Sequence, residues 1–414
     1  MLKFKWETEF KETEIGEIPK DWDIRELKDI CEVNKFPKGK KGQKVNFIAM
    51  EDIPTDGIYP SYTTKNIKNI KSGIEVSPNT ILLAKITPSF EHGKICIVPN
   101  INEVRWFATT EVFLLVPKGQ NSLFFLFYLL KHPILREPLE WSMSGTSGRQ
   151  RVQLSALKTL PIPLPSPPEQ SRIATVLSWF DDLIENKKRQ NKILEKVAMA
   201  IFKSWFVDFE PFKDEEFVYN EELGKEIPKE WEVKPIGEIF DLIKGKKCAV
   251  FERPIENAVP YLLIENFKGG DISYWTTERQ PFVEELDIVL VADGESSGKI
   301  FRYQRGIIGS TLLMLRQRGK KPDLRNYVYL YLKNAEDEII EHRTGSAIPH
   351  LDKDFLKEYA LIIPISHVLQ LFHSLVEPLF QKIILNQKQI MVLRKIRDAL
   401  LPKLVFGKLR VVEI

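Results

Sequence analysis

The stretch that comes nearest to a cofactor motif is GESSGK, residues 294–299. A phosphate-binding loop needs four residues between its glycines and a Ser or Thr after its lysine, but this stretch has three residues and Ile300. The tetrapeptide SPPE, residues 166–169, resembles the loop with which amino-methyltransferases hold a flipped base. Its fourth residue is Glu169, which cannot stack on a base as an aromatic ring does. The sequence therefore predicts neither nucleotide binding nor base methylation by this chain.

Metal and nucleophile chemistry has no support in the sequence either. There is no Gly-x-Ser-x-Gly elbow, and the six histidines form no metal-binding spacing with cysteine or acid. The three cysteines, Cys31, Cys96 and Cys248, are far apart and form no CxxC pair. Buried, reduced thiols are the simplest interpretation, and they fit a cytoplasmic protein. We expect no intrinsic catalysis, no bound metal and no cofactor.

Basic residues gather in loops although the net charge is only +3. Lys38, Lys40 and Lys41 crowd a loop that contains glycine and proline, and a similar group recurs in the second half of the chain. Its members are Lys244, Lys246, Lys247 and Arg253. One interpretation is an ordinary solvated surface, and the other is a loop that faces nucleic-acid phosphates. The recurrence favours the second interpretation.

Two turns rich in Gly, Ser and Thr also occur as a pair, SMSGTSGRQR at 142–151 and HRTGSAIPH at 342–350. Their N–H groups and small hydroxyls could approach a nucleic-acid backbone or a base edge. An ordinary flexible turn is an equally good interpretation. The candidate DNA-binding residues here, with the lysines of two matching GKI strings, are Ser147, Arg149, Arg151, Thr344, Ser346, Lys94 and Lys299.

These pairs belong to a duplication of the whole chain. EIPKDW at 17–22 returns as EIPKEW at 226–231. Further matches follow in the same order: TILLAK with DIVLVAD, GKI with GKI, TTEVFLL with GSTLLML, FYLLK with YLYLK, and SGT with TGS. The offset drifts between about 200 and 214, as insertions in surface loops would produce.

Each half ends in a long helical pattern with an apolar seam at coiled-coil spacing. Asn186 and Asn386 lie near the middle of the two patterns, where a polar residue either fixes the register or faces water. Pro378 predicts a bend or a restart in the second helix. The seam residues are Leu177, Phe180, Ile184, Leu194 and Ile201 in the first helix, and Leu375, Leu379, Ile383, Ile390, Leu393 and Leu400 in the second.

The predicted fold is α+β, with two similar globular blocks and two long helices packed as an antiparallel coiled coil about a pseudo-two-fold axis. The predicted boundaries are 1–165 for the first block, 166–210 for the first helix, 211–365 for the second block and 366–414 for the second helix. No run approaches about 18 apolar residues and the first residues carry no apolar segment, so we expect no membrane span and no signal peptide.

This combination of features resembles the specificity subunit of type I restriction–modification systems, over essentially all 414 residues. The resemblance lies in the EIPKDW and EIPKEW openings, GKI after an apolar strand, and PLPSPPEQ before a long helix. PISHVLQ replaces the Pro-Pro-x-Glu-Gln entry at the second helix.

The resemblance implies that each block is a target recognition domain for one half of a split, asymmetric site in double-stranded DNA. The long helices would space the blocks and bind methyltransferase subunits, through which endonuclease/translocase subunits would join. S-adenosylmethionine, ATP and Mg²⁺ would belong to those partners.

Two other functions compete with this one. A methyltransferase–restriction fusion would need the cofactor loop and catalytic tetrapeptide that are missing, together with several hundred more residues. A duplicated protein–protein scaffold without DNA readout is favoured by the near-neutral net charge.

Overall fold

The computed structural model describes residues 2–34, 44–101, 104–319, 323–345 and 347–413. It divides into two compact units, the first formed by Met1–Lys187 with Gln389–Ile414 and the second by Lys188–Lys388. The candidate residues Lys38, Lys40, Lys41 and Ser346 lie outside the described residues.

Each half of the chain contains short strands and short helices, and two helices have 40 residues each. The strands of the first half are β1 (Leu2–Trp6), β2 (Phe10–Lys11), β3 (Ile18–Pro19), β4 (Asp23–Glu26), β5 (Cys31–Val33), β6 (Lys44–Ile48), β7 (Thr63–Asn66), β8 (Ile74–Val76), β9 (Ile81–Ala84), β10 (Ile95–Ile97), β11 (Arg105–Ala108), β12 (Val112–Pro117) and β13 (Pro161–Leu164). Those of the second half are β14 (Phe217–Asn220), β15 (Lys225–Pro228), β16 (Glu232–Pro235), β17 (Phe240–Lys244), β18 (Val259–Leu262), β19 (Trp275–Thr276), β20 (Phe282–Val283), β21 (Ile288–Val291), β22 (Ile300–Phe301), β23 (Gly306–Ile308), β24 (Leu312–Gln317), β25 (Ala360–Ile363) and β26 (Leu409–Glu413). The helices are α1 (Leu27–Ile30), α2 (Leu123–Leu129), α3 (Pro133–Trp141), α4 (Leu154–Lys158), α5 (Pro167–Phe206), α6 (Ile236–Ile239), α7 (Ile264–Phe267), α8 (Arg325–Asn334), α9 (Glu336–Glu341), α10 (Lys353–Glu358) and α11 (Ser366–Val405).

The two units repeat one sheet topology. The first unit has four-stranded sheets in the orders β10-β9-β12-β5 and β7-β6-β11-β8, and the second has β22-β21-β24-β17 and β19-β18-β23-β20. In each unit a parallel pair lies at the centre of the second sheet, β6 with β11 and β18 with β23. The matching strings ILLA and IVLV form the fully buried strands β9 and β21. The predicted α+β fold and its internal repeat are therefore confirmed.

The long helices α5 and α11 run antiparallel within each unit. In the first unit, Lys187 Nζ donates to Gln389 Oε1 at 2.6 Å. Asp181, which precedes Lys187 on α5, pairs with Arg397, which follows Gln389 on α11. In the second unit, Asn386 lies against Asn191, and the rings of Phe206 and Phe372 are 4.8 Å apart. The predicted antiparallel pairing of the two helices is confirmed in both units.

The two central asparagines differ in their surroundings. Asn186 is exposed, whereas Asn386 is fully buried and its Nδ2 donates to Asn191 Oδ1 at 2.8 Å and to Gln190 Oε1 at 3.3 Å. A buried amide with polar partners on the facing helix favours one register over its neighbours. Of the two interpretations, register fixing thus fits Asn386 and exposure to water fits Asn186.

Most of the proposed seam residues face the helix pair, but one does not. Leu177, Ile184, Ile383 and Ile390 are buried, and the half-buried ones are Phe180, Leu194, Ile201, Leu379, Leu393 and Leu400. Leu375 is 47% exposed, and Phe372, Val376 and Phe380 fill the second core instead. A helix with 3.6 residues per turn drifts away from a strict heptad, which explains the shift by one position.

Helix α11 continues without interruption through Pro378, so the predicted restart is wrong. Pro378 lies on the exposed face, where water can hydrate the carbonyl that the proline leaves without a donor. Val376 and Phe380, on either side of it, are anchored in the core of the second unit. Packing on both sides of the proline therefore outweighs its local cost.

A buried group of charges lies between the helices of the first unit. Arg397 contacts the carboxylates of Asp181 and Asp56, and Tyr128 Oη donates to Asp181 Oδ2 at 2.6 Å. Burial alone would lower the pKa of Arg397, but the two carboxylates outweigh it and raise that pKa above its ordinary value. The seam predicted from the sequence contains only apolar residues, so this group was missed.

The two ends of the chain meet in the first unit, where β1 pairs antiparallel with β26. Arg410 on β26 binds the carboxylates of Glu169 at the start of α5, of Asp21, and of Glu7. Trp22 from the EIPKDW opening donates its indole N–H to Glu169 Oε2 at 3.2 Å. Glu169, which cannot stack on a base, thus joins the opening motif to the helix start.

By length and composition alone, α11 is long and apolar enough to cross a membrane. The sequence predicted no such segment, because charged and polar residues interrupt every apolar run. Core helices of soluble proteins have the same composition, and Val376, Phe380 and Ile383 of α11 are core residues of the second unit. The buried apolar face is what packing against α5 requires.

Candidate nucleic-acid interface

The first Gly/Ser/Thr-rich turn forms a closed loop, here named the first strap, residues 144–151. Ser144 and Arg151 exchange backbone hydrogen bonds of 3.1 and 2.9 Å, which close its base. The strap is bound to the chain just after β9, where Val152 N–H donates to the Lys85 carbonyl and Thr87 N–H to the Gln150 carbonyl. The turn is therefore anchored to a buried strand.

The second turn, named the second strap (residues 344–350), repeats these bonds. Thr344 and His350 exchange hydrogen bonds of 2.9 and 2.8 Å. Leu351 N–H donates to the Ala292 carbonyl and Gly294 N–H to the Pro349 carbonyl, just after the buried strand β21. The sequence paired these turns by composition alone, and the hydrogen bonds at their bases are equivalent.

Different side chains hold the two straps. In the first unit Arg151 forms a two-pronged pair with Glu111, with Nε–Oε2 and Nη2–Oε1 distances of 2.9 Å. The hydrogen bond from Arg151 lowers the pKa of Glu111. In the second unit Asp293 accepts from His350 Nδ1 at 2.8 Å and pairs with Lys244 Nζ at 2.8 Å.

The pKa of the Asp293 carboxyl depends on both its burial and its two basic partners. Its partial burial would raise the pKa of the carboxyl, but the hydrogen bonds from Lys244 and His350 outweigh burial and lower it. The carboxylate is therefore charged at neutral pH and attracts both bases.

The remaining candidates separate into exposed and occupied side chains. Lys94 is half-buried and its Nζ donates to the Met50 carbonyl at 2.6 Å, so its ammonium group is directed at the protein. Lys244 is occupied by Asp293. The exposed candidates are Ser147, Arg149, Lys246, Lys247, Arg253, Lys299 and Thr344.

The loop after β17 approaches the sheet too closely for any side chain at Gly245. A Cβ there would lie 2.1 Å from the Gly309 carbonyl oxygen and 2.5 Å from that of Ile308. Gly245 N–H also donates to the Leu312 carbonyl at 2.8 Å. The glycine lets the chain cross the sheet edge and present Lys246 and Lys247 to solvent.

Sequence reasoning missed the anchoring residues Glu111 and Asp293 and gave His350 no role. Their partners are 40 and 57 residues away along the chain, so no local spacing indicates the pairs. The available signal was that each paired turn ends in a side chain able to donate, Arg151 or His350. Within the described residues, no group of three or more His, Cys, Asp and Glu side chains is placed to hold a metal.

The chain thus consists of two units with one sheet topology, and each unit carries a strap and exposed basic residues. A model of the type I restriction–modification DNA specificity domain matches the chain twice, at residues 19–196 and 228–395. The chain belongs to this family. The membership confirms the predicted non-catalytic role in DNA-sequence recognition.

Relatives of the same kind match over nearly their whole length. The type I restriction enzyme MjaIX specificity subunit of Methanocaldococcus jannaschii is 42% identical over 100% of this chain and 99% of its own. The HindI specificity subunit of Haemophilus influenzae is 21% identical over 97% of this chain and 100% of its own. The crystal structure of a type I restriction–modification S subunit from M. genitalium shares the fold, with a TM-score of 0.55 and 23% identity over 93% of this chain and 96% of that one.

Proposed function

We propose that the chain gives a type I complex a bipartite, asymmetric DNA target, with one half-site read by each unit. The observation that carries this proposal is that two straps with equivalent hydrogen bonds at their bases present different side chains. Arg149 and Gln150 precede the anchoring residue of the first strap, whereas Ile348 and Pro349 precede that of the second. Because direct readout depends on side-chain donors and acceptors, two such surfaces select different bases.

The long helices are the proposed binding surface for methyltransferase subunits. Each unit exposes two apolar pairs at i, i+4 spacing, one on each helix, where a soluble chain would otherwise place polar residues. These pairs are Trp179/Leu183 and Val392/Ile396 in the first unit, and Ile193/Val197 and Leu371/Leu375 in the second. The endonuclease/translocase subunits would join through the methyltransferase subunits.

The same proposal assigns the cofactors and the compartment. S-adenosylmethionine, ATP and Mg²⁺ would be used by the partner subunits, and this chain would bind none of them. Its place would be the cytoplasm, with the host DNA. Cys31 and Cys96 are buried thiols, and burial raises the pKa of Cys31 to about 12, so neither is poised to react.

A protein–protein scaffold without DNA readout remains the second candidate, because the net charge is only +3. The dependence of DNA binding on salt concentration distinguishes the two candidate functions. The chain assembled with methyltransferase subunits is expected to bind duplex DNA with a log K that falls linearly with log salt, by about 0.9 for each phosphate that the protein neutralises. Binding that is absent, or independent of salt, would favour the scaffold.

The exposed lysines after Gly245 provide a sharper form of this test. Lys246→Ala with Lys247→Ala is expected to reduce the salt slope by about 1 for each phosphate that is no longer bound, with little change in base preference. Lys357→Ala is the control, since this exposed lysine lies on α10 beside Asp354 at 3.2 Å. An unchanged slope in the double variant would show that these two lysines do not bind phosphates.

Helix length is predicted to set the gap between the two half-sites. Each long helix has 40 residues, and removing four at facing positions of α5 and α11 shortens each by about 6 Å. The motif mapped from methylated DNA should then keep both half-sites and lose about one or two base pairs of gap. The control replaces the same residues by alanine at unchanged length. An unchanged gap in the shortened chain would contradict the spacer role.

A further inference from the structure

Arg151 forms a two-pronged ion pair within the protein, although it lies in an exposed, basic turn. Both prongs of its guanidinium bind the Glu111 carboxylate, and its Nη1 donates to the Arg149 carbonyl at 3.4 Å. A phosphate that took the Nε–Nη2 edge of this guanidinium would have to break the two-pronged pair. Arg149, two residues earlier, is exposed, and its backbone N–H donates to the Thr146 carbonyl at 2.9 Å.

Apart from the backbone hydrogen bonds at its base, the strap has few other means of keeping its shape. Residues 144–149 are exposed, so no apolar side chain anchors them. Gly145 and Gly148 have φ of +127° and +76°, in regions where glycine is favoured, and glycine leaves the unfolded loop many alternatives. A Cβ on Gly145 would lie 3.1 Å from the Arg149 carbonyl oxygen, so the two limbs of the loop are close together. Side-chain anchors at the base therefore decide how well the tip is placed.

We propose that Glu111 and Arg151 are positioning residues for base recognition in the first unit, and that Asp293, His350 and Lys244 do the same in the second. They fix the base of each strap so that its tip is presented to base edges, and Arg151 and Lys244 do not themselves bind DNA. The inference rests on the proposed function, because it assigns roles within the two proposed readers.

The consequence is a separation of specificity from affinity. Base recognition needs donors and acceptors placed within a fraction of an ångström, whereas phosphate attraction tolerates displacement. Removal of an anchor should therefore displace the tip and relax base preference, although every DNA-binding side chain is still present in the chain. Because each strap has its own anchors, the effect should stay within one half-site.

The test uses the full chain with its methyltransferase subunits in a host whose methylated adenines are mapped. Glu111→Gln with Arg151→Gln keeps the net charge of the pair at zero while removing the two-pronged ion pair. This variant is expected to lose about tenfold or more of its base preference in the first half-site, while the second half-site stays as in the wild type. Arg151→Lys keeps the positive charge but cannot form the two-pronged pair. Its base preference in the first half-site should fall between that of the Glu111→Gln, Arg151→Gln variant and that of the wild type.

Three controls distinguish positioning from other roles. The exchanged pair Glu111→Arg with Arg151→Glu should regain base preference, because an ion pair is again possible. Asp293→Asn should relax the second half-site and leave the first unchanged. In purified complexes, Arg149→Gln should reduce the salt slope by about 1, while the Glu111→Gln, Arg151→Gln variant should leave it unchanged.

Unchanged base preference in the Glu111→Gln, Arg151→Gln variant would overturn the inference, as would equal relaxation of both half-sites or a reduced salt slope. If the Glu111→Gln, Arg151→Gln variant failed to fold, neither half-site would be recognised. The base preference of Arg151→Lys would then test the inference in its place. A wild-type chain that gave no two-part motif would instead contradict the proposed function.

Discussion

Asp181→Ala is expected to lower the free energy of unfolding of the first unit by about 3 kcal/mol. The side chains of Asp181 and Arg397 are 3% and 6% exposed, so the variant leaves a buried guanidinium with one partner fewer. Breaking a buried ion pair from one side costs about 3–5 kcal/mol, and the lower end applies because Asp56 still contacts Arg397 at 2.7 Å. Tyr128 Oη loses its acceptor as well.

Amide hydrogen exchange measures this destabilisation unit by unit. Amides of α2 should exchange about 100-fold faster or more, and amides of α8 in the second unit should stay close to wild type. Glu137→Ala, which removes an exposed acid of α3, is the control and should change stability by about 0.5 kcal/mol or less. Asp181→Leu with Arg397→Met should recover most of the stability, because both buried charges are then gone. Equal exchange in Asp181→Ala and Glu137→Ala would show that the pair does not stabilise the unit.

Gly245→Ala is expected to destabilise the second unit by about 3 kcal/mol and to remove the second half-site from the methylated motif. The added Cβ would lie 2.1 Å from a backbone oxygen, so either the loop or the β23–β24 turn must move. Movement of the loop disturbs Lys244, whose partner Asp293 is the proposed anchor of the second strap, and this accounts for the loss of base preference. The displaced Lys246 and Lys247 would weaken phosphate binding.

Gly237→Ala is the matched control for Gly245→Ala. A Cβ at Gly237 would lie 3.2 Å from the Lys357 carbonyl oxygen, a contact that a shift of a few tenths of an ångström relieves. We expect the Gly237 variant to keep both half-sites and the Gly245 variant to keep only the first. Disappearance of both half-sites in Gly245→Ala would mean that the units do not recognise DNA independently.

The sequence predicted the duplication because each repeated string has the same structural role in both units. EIPKDW and EIPKEW each bury a tryptophan, and ILLA and IVLV each form a strand buried on both faces. Apolar residues in steps of three and four predicted both long helices, because one buried face is what that spacing produces. These features are local, so a single chain reveals them.

The anchors of the site are not local, and the sequence did not reveal them. Glu111 and Arg151, like Asp293 and His350, meet only because strands and straps bring distant segments together. Arg151 and Lys244 look like phosphate-binding residues until their acidic partners are known. Leu375 and Pro378 show a related limit of prediction from sequence. Which residues of α11 are buried depends on the rotation of the helix about its axis, and the core it packs against sets that rotation.

The measurement that tests the central claim most directly is the mapping of methylated adenines in a host that carries this chain with its methyltransferase subunits. Two independent readers in one chain predict a motif of two different half-sites separated by a gap of fixed length and unspecified sequence. A single uninterrupted motif, or two identical half-sites in a palindrome, would contradict the account.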